Sequence, residues 1–140
     1  MADGAGRTVP GPGSGIVSLA FDADGILHFV MEPHLRLDGL RTQNAVDLTN
    51  EWAAGRRIAV LVDITGMISV DRDVRRVLTQ PSAAAALAVV GRSSVERVLA
   101  NFVISVTNVP CPIQYFRSET QARAWLLQET AVEGGVDRGR

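Results

Sequence analysis

The strongest constraint on this chain is a pair of unbroken apolar runs, "RIAVLVDI" (57–64) and "AAALAVVG" (84–91). Neither alternates apolar with polar residues, so neither reads as a strand with one wet face. Both read as strands covered on both faces, as in a parallel sheet. Parallel neighbours need a crossover, and the residues between the runs supply one. A short helix fits Asp71 to Gln80, stopped by Pro81, whose ring excludes a helix interior. The expectation is that the Ile58–Ile64 and Ala84–Val90 strands are buried neighbours in one sheet with helices packed against it.

The flanking segments extend this pattern. "GIVSLAFD" and "GILHFVME" surround Asp22-Ala23-Asp24-Gly25, a hairpin signal because Gly supplies the positive φ a tight turn needs. Leu40, Val46, Leu48 and Trp52 recur at roughly helical spacing from about Asp38 to Ala54, with Gly55 placed as a C-cap. Ser93 and Glu96 have capping-box spacing, and Val95, Val98, Leu99, Phe102, Val103 and Val106 then mark one helical face. "IQYF" (113–116) reads as a short strand. Ser118 to Gln121 repeats the capping box before a helix burying Ala122, Trp125 and Leu126. The order is ββαβαβαβα, a single α/β domain over residues 15–128 with a mixed central sheet. Residues 1–14, rich in Gly, Pro, Ala and Ser, are expected to be a disordered leader. Residues 129–140 lack an apolar period and are expected to be a flexible, fraying tail.

Charge and composition exclude several functions. Fourteen arginines and no lysine stand against 15 acidic residues, a net charge of -1; this offers no general field for nucleic acid or an anionic membrane. The all-arginine usage fits a GC-rich bacterial genome. No apolar run approaches the roughly 20 residues of a membrane span, and "MADGAGRTVPGPGSG" lacks the order of a secretory signal. A cytoplasmic location is the expectation. "GPGSG" is followed by no Lys-Ser/Thr and preceded by no strand, so it does not read as a phosphate loop.

In "VLVDITGMISVDRDVRRVL" (60–78) a strand ends in Asp63, a Thr65-Gly66 turn follows, and Val70 precedes Asp71 at a helix start. With the closing "YFRSETQARAWL" (115–126), this resembles the STAS domains, best known from anti-sigma-factor antagonists of the SpoIIAA type. It is closer still to their SpoIIAA-like or STAS/SEC14 relatives. The resemblance covers about residues 15–128. It implies a SpoIIAA/STAS-like fold, a regulatory role without catalysis, and an anti-sigma-type regulatory protein as partner. The docking surface would comprise Thr65, Ser69, Asp71, Arg72, Asp73 and Arg76. The chain departs from the family where the antagonists are phosphorylated: Asp73 stands at the serine, Arg72 replaces the serine before it, and Val74 the glycine after it. Phosphorylation at that position is impossible. A carboxylate there carries about one negative charge against roughly two for a phosphoserine.

The SEC14-like side of the resemblance implies an alternative, a carrier or binder of a lipid or other nonpolar small molecule. The apolar helix from Ser93 to about Asn108, with Leu99, Phe102, Val103 and Val106, would then cover the cavity. An ordinary core helix and a two-fold homodimer seat are competing readings of the same residues.

No residue pattern points to catalysis, a cofactor or a metal. His28 and His34 have no metal-ligand spacing. Cys111, the sole cysteine, forms neither an intrachain disulfide nor a cysteine cluster. Asp71 and Asp73, two positions apart at a helix start, point in different directions and would favour the helix dipole by roughly 0.3–1 kcal/mol each. Ser69 or Asp71 is the expected N-cap, and Arg72, Arg75 and Arg76 read as a solvated face.

Overall fold

The computed structural model describes residues 8–138, with side chains through residue 131. β1 (Ile16–Phe21) and β2 (Leu27–Met31) form the expected antiparallel hairpin. Its turn is held by the Asp22 carboxylate, which accepts from the Asp24 and Ile26 amides at 2.8 and 3.0 Å. The chain continues through β3 (Arg36–Leu37), α1 (Gly39–Ala53), β4 (Ile58–Asp63), β5 (Ser69–Val70) and α2 (Asp73–Leu78). It ends with β6 (Ala84–Val90), α3 (Ser94–Val106), β7 (Ile113–Phe116) and α4 (Glu119–Arg138). The main sheet has the order β1-β2-β4-β6-β7, with β2, β4, β6 and β7 parallel. The two apolar runs are its buried central neighbours, as their composition requires.

Alternate strand residues feed two layers. Leu27, Phe29, Met31 and Val60 face one side and pack with Leu48 and Trp52 of α1 and Ala100 of α3. Ala59, Leu61, Ala86, Ala88 and Val90 face the other, beneath Ala122 and Leu126 of α4. The small strand alanines let α4 lie close to the sheet. At its edge, Arg123 of α4 pairs with both Asp22 and Asp24 of the hairpin turn. Arg123 and burial act oppositely on Asp22. Burial pushes its carboxyl up, but the Ile26 amide, Arg123 and the Asp24 amide together hold it below the ordinary aspartate range.

Four details differ from the sequence expectation. First, β3 and β5 pair in parallel as a small second sheet; two-residue strands are too short to show a period. Second, α2 begins at Asp73, and neither Ser69 nor Asp71 caps it. Ser69 belongs to β5 and the Asp71 amide donates to Leu37 O at 2.9 Å, so the strand pairing claims this backbone before the helix can. The N-cap is Arg72, with helical φ and ψ and no side-chain bond. Third, α1 closes through Ala54, itself left-handed at φ 52°, ahead of Gly55 at φ 87°. Fourth, α4 continues past Glu129 to Arg138.

Residues 1–7 of the expected leader lie outside the described residues. Residues 8–14 are fastened to α1: Trp52 Nε1 donates to Thr8 O at 3.0 Å, the Thr8 amide to Glu51 Oε2 at 2.6 Å, and Arg41 Nε to Gly13 O at 3.1 Å. A buried indole N–H needs a partner, and here the leader's backbone provides it. Among the described residues no helix is long and apolar enough to cross a membrane.

Candidate functional site

The loop after β4 is fixed from several directions. Asp63 Oδ1 accepts from both the amide and the hydroxyl of Thr65, at 2.9 and 2.6 Å, so the Thr65 hydroxyl is engaged within its own turn. Gly66 has φ 88°, and a Cβ there would lie 2.9 Å from Pro33 Cα. Only glycine satisfies both demands. Its carbonyl accepts from the His34 amide at 2.7 Å.

Its amide reaches across the fold to Glu96, and this bond is absent from the sequence reading. Ser93 and Glu96 do form the expected capping box. Beyond it, Glu96 Oε1 accepts from the Arg92 and Ser93 amides at 2.6 and 3.0 Å, while Oε2 accepts from Gly66 at 2.7 Å. The side chain is buried. Burial pushes its carboxyl up, but the Arg92, Gly66 and Ser93 amides and the Ser93 hydroxyl outweigh it and hold the group below the ordinary glutamate range. The capping-box spacing marks this residue; nothing local marks its second partner thirty positions away. Beside it, the buried Tyr115 hydroxyl has no hydrogen-bond partner. Burial, then the Glu96 charge, pushes its pKa up.

The start of α2 is exposed. Asp71, Arg72 and Asp73 lie at the surface, and Ser69 is half-buried beside Arg36 in the small sheet. Asp73 pairs at 3.5 Å with the exposed Arg76, while its backbone side presses on α1, where a Cβ on Gly39 would come within 2.9 Å of Asp73 Cβ. The structure therefore brings Asp71, Arg72, Asp73 and Arg76 onto one exposed end of α2, and holds Thr65 in the braced turn.

α3 departs most from expectation. Of the anticipated face only Val103 is buried, with Glu96 and Ala100; Leu99 is half-buried. Val95, Val98, Phe102 and Val106 are 54, 64, 45 and 51% exposed. The Arg75 guanidinium of α2 lies over the Phe102 ring, 5.0 Å from its centroid, a cation–π contact joining the two helices. Behind it lies an apolar cavity of about 160 Å³ between the sheet and α1, α2 and α3. Val74 and Leu78 of α2, Leu99 and Val103 of α3, and Phe29 and Val60 of the sheet contribute to its walls. Of the four residues expected on a ligand-covering helix, Leu99 and Val103 line the cavity, whereas Phe102 and Val106 face outward.

The other chemically capable residues do not converge. His28 sits on β2 between Leu27 and Phe29, and so faces away from the cavity; its buried Nε2 has no hydrogen-bond partner. His34 is exposed in the β2–β3 loop and Cys111 is half-buried in the cavity wall. Among the described residues no group of three or more His, Cys, Asp or Glu is placed to hold a metal.

A family model described as "Domain of unknown function (DUF7793)" matches residues 20–130. The chain belongs to this family. A crystal structure of a DUF3478-family protein with a SpoIIAA-like fold, from Shewanella loihica PV-4, is similar at a TM-score of 0.56 and 20% identity, covering 80% of this chain and 94% of that one. The fold is therefore SpoIIAA-like. A protein of unknown function from Arthrobacter sp. FB24 is 34% identical over 79% of this chain and 98% of its own, with a TM-score of 0.33. No curated protein matches.

Proposed function

We propose that this DUF7793 protein is a non-enzymatic interaction module whose α2–α3 surface docks a regulatory protein. The observation that carries the reading is the row of exposed apolar side chains on α3, Val95, Val98, Phe102 and Val106, bordering the end of α2 where the resemblance to anti-sigma-factor antagonists locates partner binding. Isolated surface apolar residues need no explanation, but a contiguous row marks an interaction surface. Asp73, exposed at the same end, holds a fixed negative charge where those antagonists carry a switchable serine. A carboxylate at a docking surface repels acidic neighbours; the wild-type protein then binds its partner as a phosphorylated antagonist would, weakly. Affinity capture from the native cell extract with wild-type and Phe102→Glu protein, read by mass spectrometry, tests this. An anti-sigma-type protein retained by the wild type and lost by the variant is the expected result. Identical captures would refute it.

The cavity favours a second reading, a site for a nonpolar small molecule. Apolar walls left without a partner forgo the dispersion contacts an occupant would make, and the recess measures about 160 Å³. An engineered cavity of about 150 Å³ takes up benzene, which limits the occupant to a small ring or a short alkyl segment. Native mass spectrometry of a gentle extract checks this reading: an adduct present in the wild type should vanish in Leu99→Phe, which fills the space.

A further inference from the structure

Resting on the interaction reading above, we infer that the partner presents an acidic amphipathic helix, one apolar side chain of which anchors in the cavity behind α2 and α3. Two independent features combine. The α3 row and the cavity share a border, because Leu99 and Val103 line the cavity while Phe102 and Val106 lie outside it on the same helix. Such a ridge beside an apolar recess suits a helix-in-groove partner, whose anchors recur at i, i+3 or i+4 and i+7. A buried anchor in a pocket is where interfaces concentrate their energy.

Charge selects the partner. Residues 71–108 carry five arginines, Arg72, Arg75, Arg76, Arg92 and Arg97, against three carboxylates, in a chain of net charge -1. One of those carboxylates, Glu96, is buried against backbone amides. Asp73 is opposed by Arg76. α3 thus exposes no acidic side chain at all. Arg75 over Phe102, with Arg72 and Arg76 exposed at α2, leaves positive charge on the α2 side of the ridge, whereas Arg97 projects toward β7 on the other flank of α3. A second copy of this chain would bring the same arginines against each other. A bilayer surface has no protruding group shaped for a single recess. An acidic helix meets both the charge and the cavity.

The test uses a labelled synthetic helix with leucine at the anchor positions and glutamate elsewhere, its lysine counterpart, and fluorescence anisotropy against the full chain. The glutamate peptide should bind, and more weakly as salt rises. Its affinity should fall about tenfold or more, one anchor's worth, in Phe102→Ser and in the cavity-filling Leu99→Phe. The double reversal Arg75→Glu/Arg76→Glu should prefer the lysine peptide, which no loss of folding can mimic. Equal binding of both peptides, or undiminished binding to Phe102→Ser, would overturn the inference. So would Phe102-dependent self-association in sedimentation, or Phe102-dependent binding to anionic phosphatidylserine vesicles. If a partner captured from extract depends on Phe102 while the glutamate peptide fails to bind, the acidic helix falls and the interaction reading stands.

Discussion

The two faces of the sheet are built to opposite specifications. Under α4, alanines from β4 and β6 meet Ala122 and Leu126, both fully buried, and Arg123 clamps the hairpin turn through Asp22 and Asp24. Under α2 and α3 there is a cavity of about 160 Å³, and the outer side of α3 exposes four large apolar residues. One face is closed beneath its helix, with the His28 Nε2 on it buried and without a hydrogen-bond partner. The other carries an extensive apolar cluster packed against α1 and α3, yet it leaves a cavity within that layer, and Glu96 ties the β4–β5 loop to α3 there. On the proposed function, stability and recognition are divided between layers of one small domain.

The contrast breaks most readily at Leu126. Leu126→Ala should cost about 2–5 kcal/mol, the usual range for emptying a packed site, whereas Leu99→Ala, at a cavity already present, should cost about 1 kcal/mol. Urea denaturation of both variants measures this, and equal losses would erase the distinction between the faces.

Next in size is Glu96→Gln. The amide keeps one acceptor oxygen but turns an NH2 toward one set of backbone donors, leaving a buried group unpaired at about 1–3 kcal/mol. Because the Glu96 carboxyl is held below its ordinary value, its contribution is present above the unfolded glutamate pKa, about 4.3. It is lost as pH falls through the lower folded value. Thermal melts from pH 6 down to pH 3 should show the wild type losing its advantage over the variant in the acid range; Asp22, shifted the same way, adds to the slope in both proteins. A constant difference across that range would remove Glu96 as the brace.

Smaller still is Phe102→Ser. The lost contact with Arg75 is worth about 0.5–1 kcal/mol at an exposed site, so Tm should move little while peptide or partner binding collapses. A large Tm loss would make Phe102 a packing residue and shift α3 toward the closed type of face.

Asp73→Ser should alter stability least. The Arg76 pair is exposed and such pairs contribute about 0–1 kcal/mol, with a similar first-turn dipole effect. Calorimetry against the captured partner should nevertheless show tighter binding than wild type. A kinase activity of that partner should phosphorylate the Asp73→Ser protein and leave an Asp73→Ala control unlabelled. Equal affinities would leave Asp73 a helix-start charge and nothing more.

Much of the architecture was legible in the residues, because the signals were local. The continuous Ile/Val/Leu/Ala runs require burial on both faces, and Asp-Gly between alternating strands requires a tight turn. Ser93 and Glu96 satisfy a helix start within four residues. What escaped was non-local. Ser69 and Asp71 look like caps in isolation, but β3 claims their backbone first. Glu96 looks like a capping residue, and only the folded chain brings the Gly66 amide to its second oxygen. The period of α3 marks an apolar stripe but cannot say which way it faces; the structure turns Val95, Val98, Phe102 and Val106 outward and only Ala100 and Val103 fully inward.

By itself, then, the sequence determined the order of the four helices and the five main-sheet strands (though not the small β3–β5 pair), the adjacency of β4 and β6, and the absence of a hydroxyl at position 73. These follow from backbone propensity, burial and residue identity, which act over a few neighbours. The tertiary structure alone decided which helix closes the core and which leaves it open, where the cavity lies, and that one buried carboxylate ties the β4–β5 loop to α3. Those outcomes depend on how finished elements meet in space. The free energy of that meeting is set by shape and by hydrogen bonds between residues far apart in the chain.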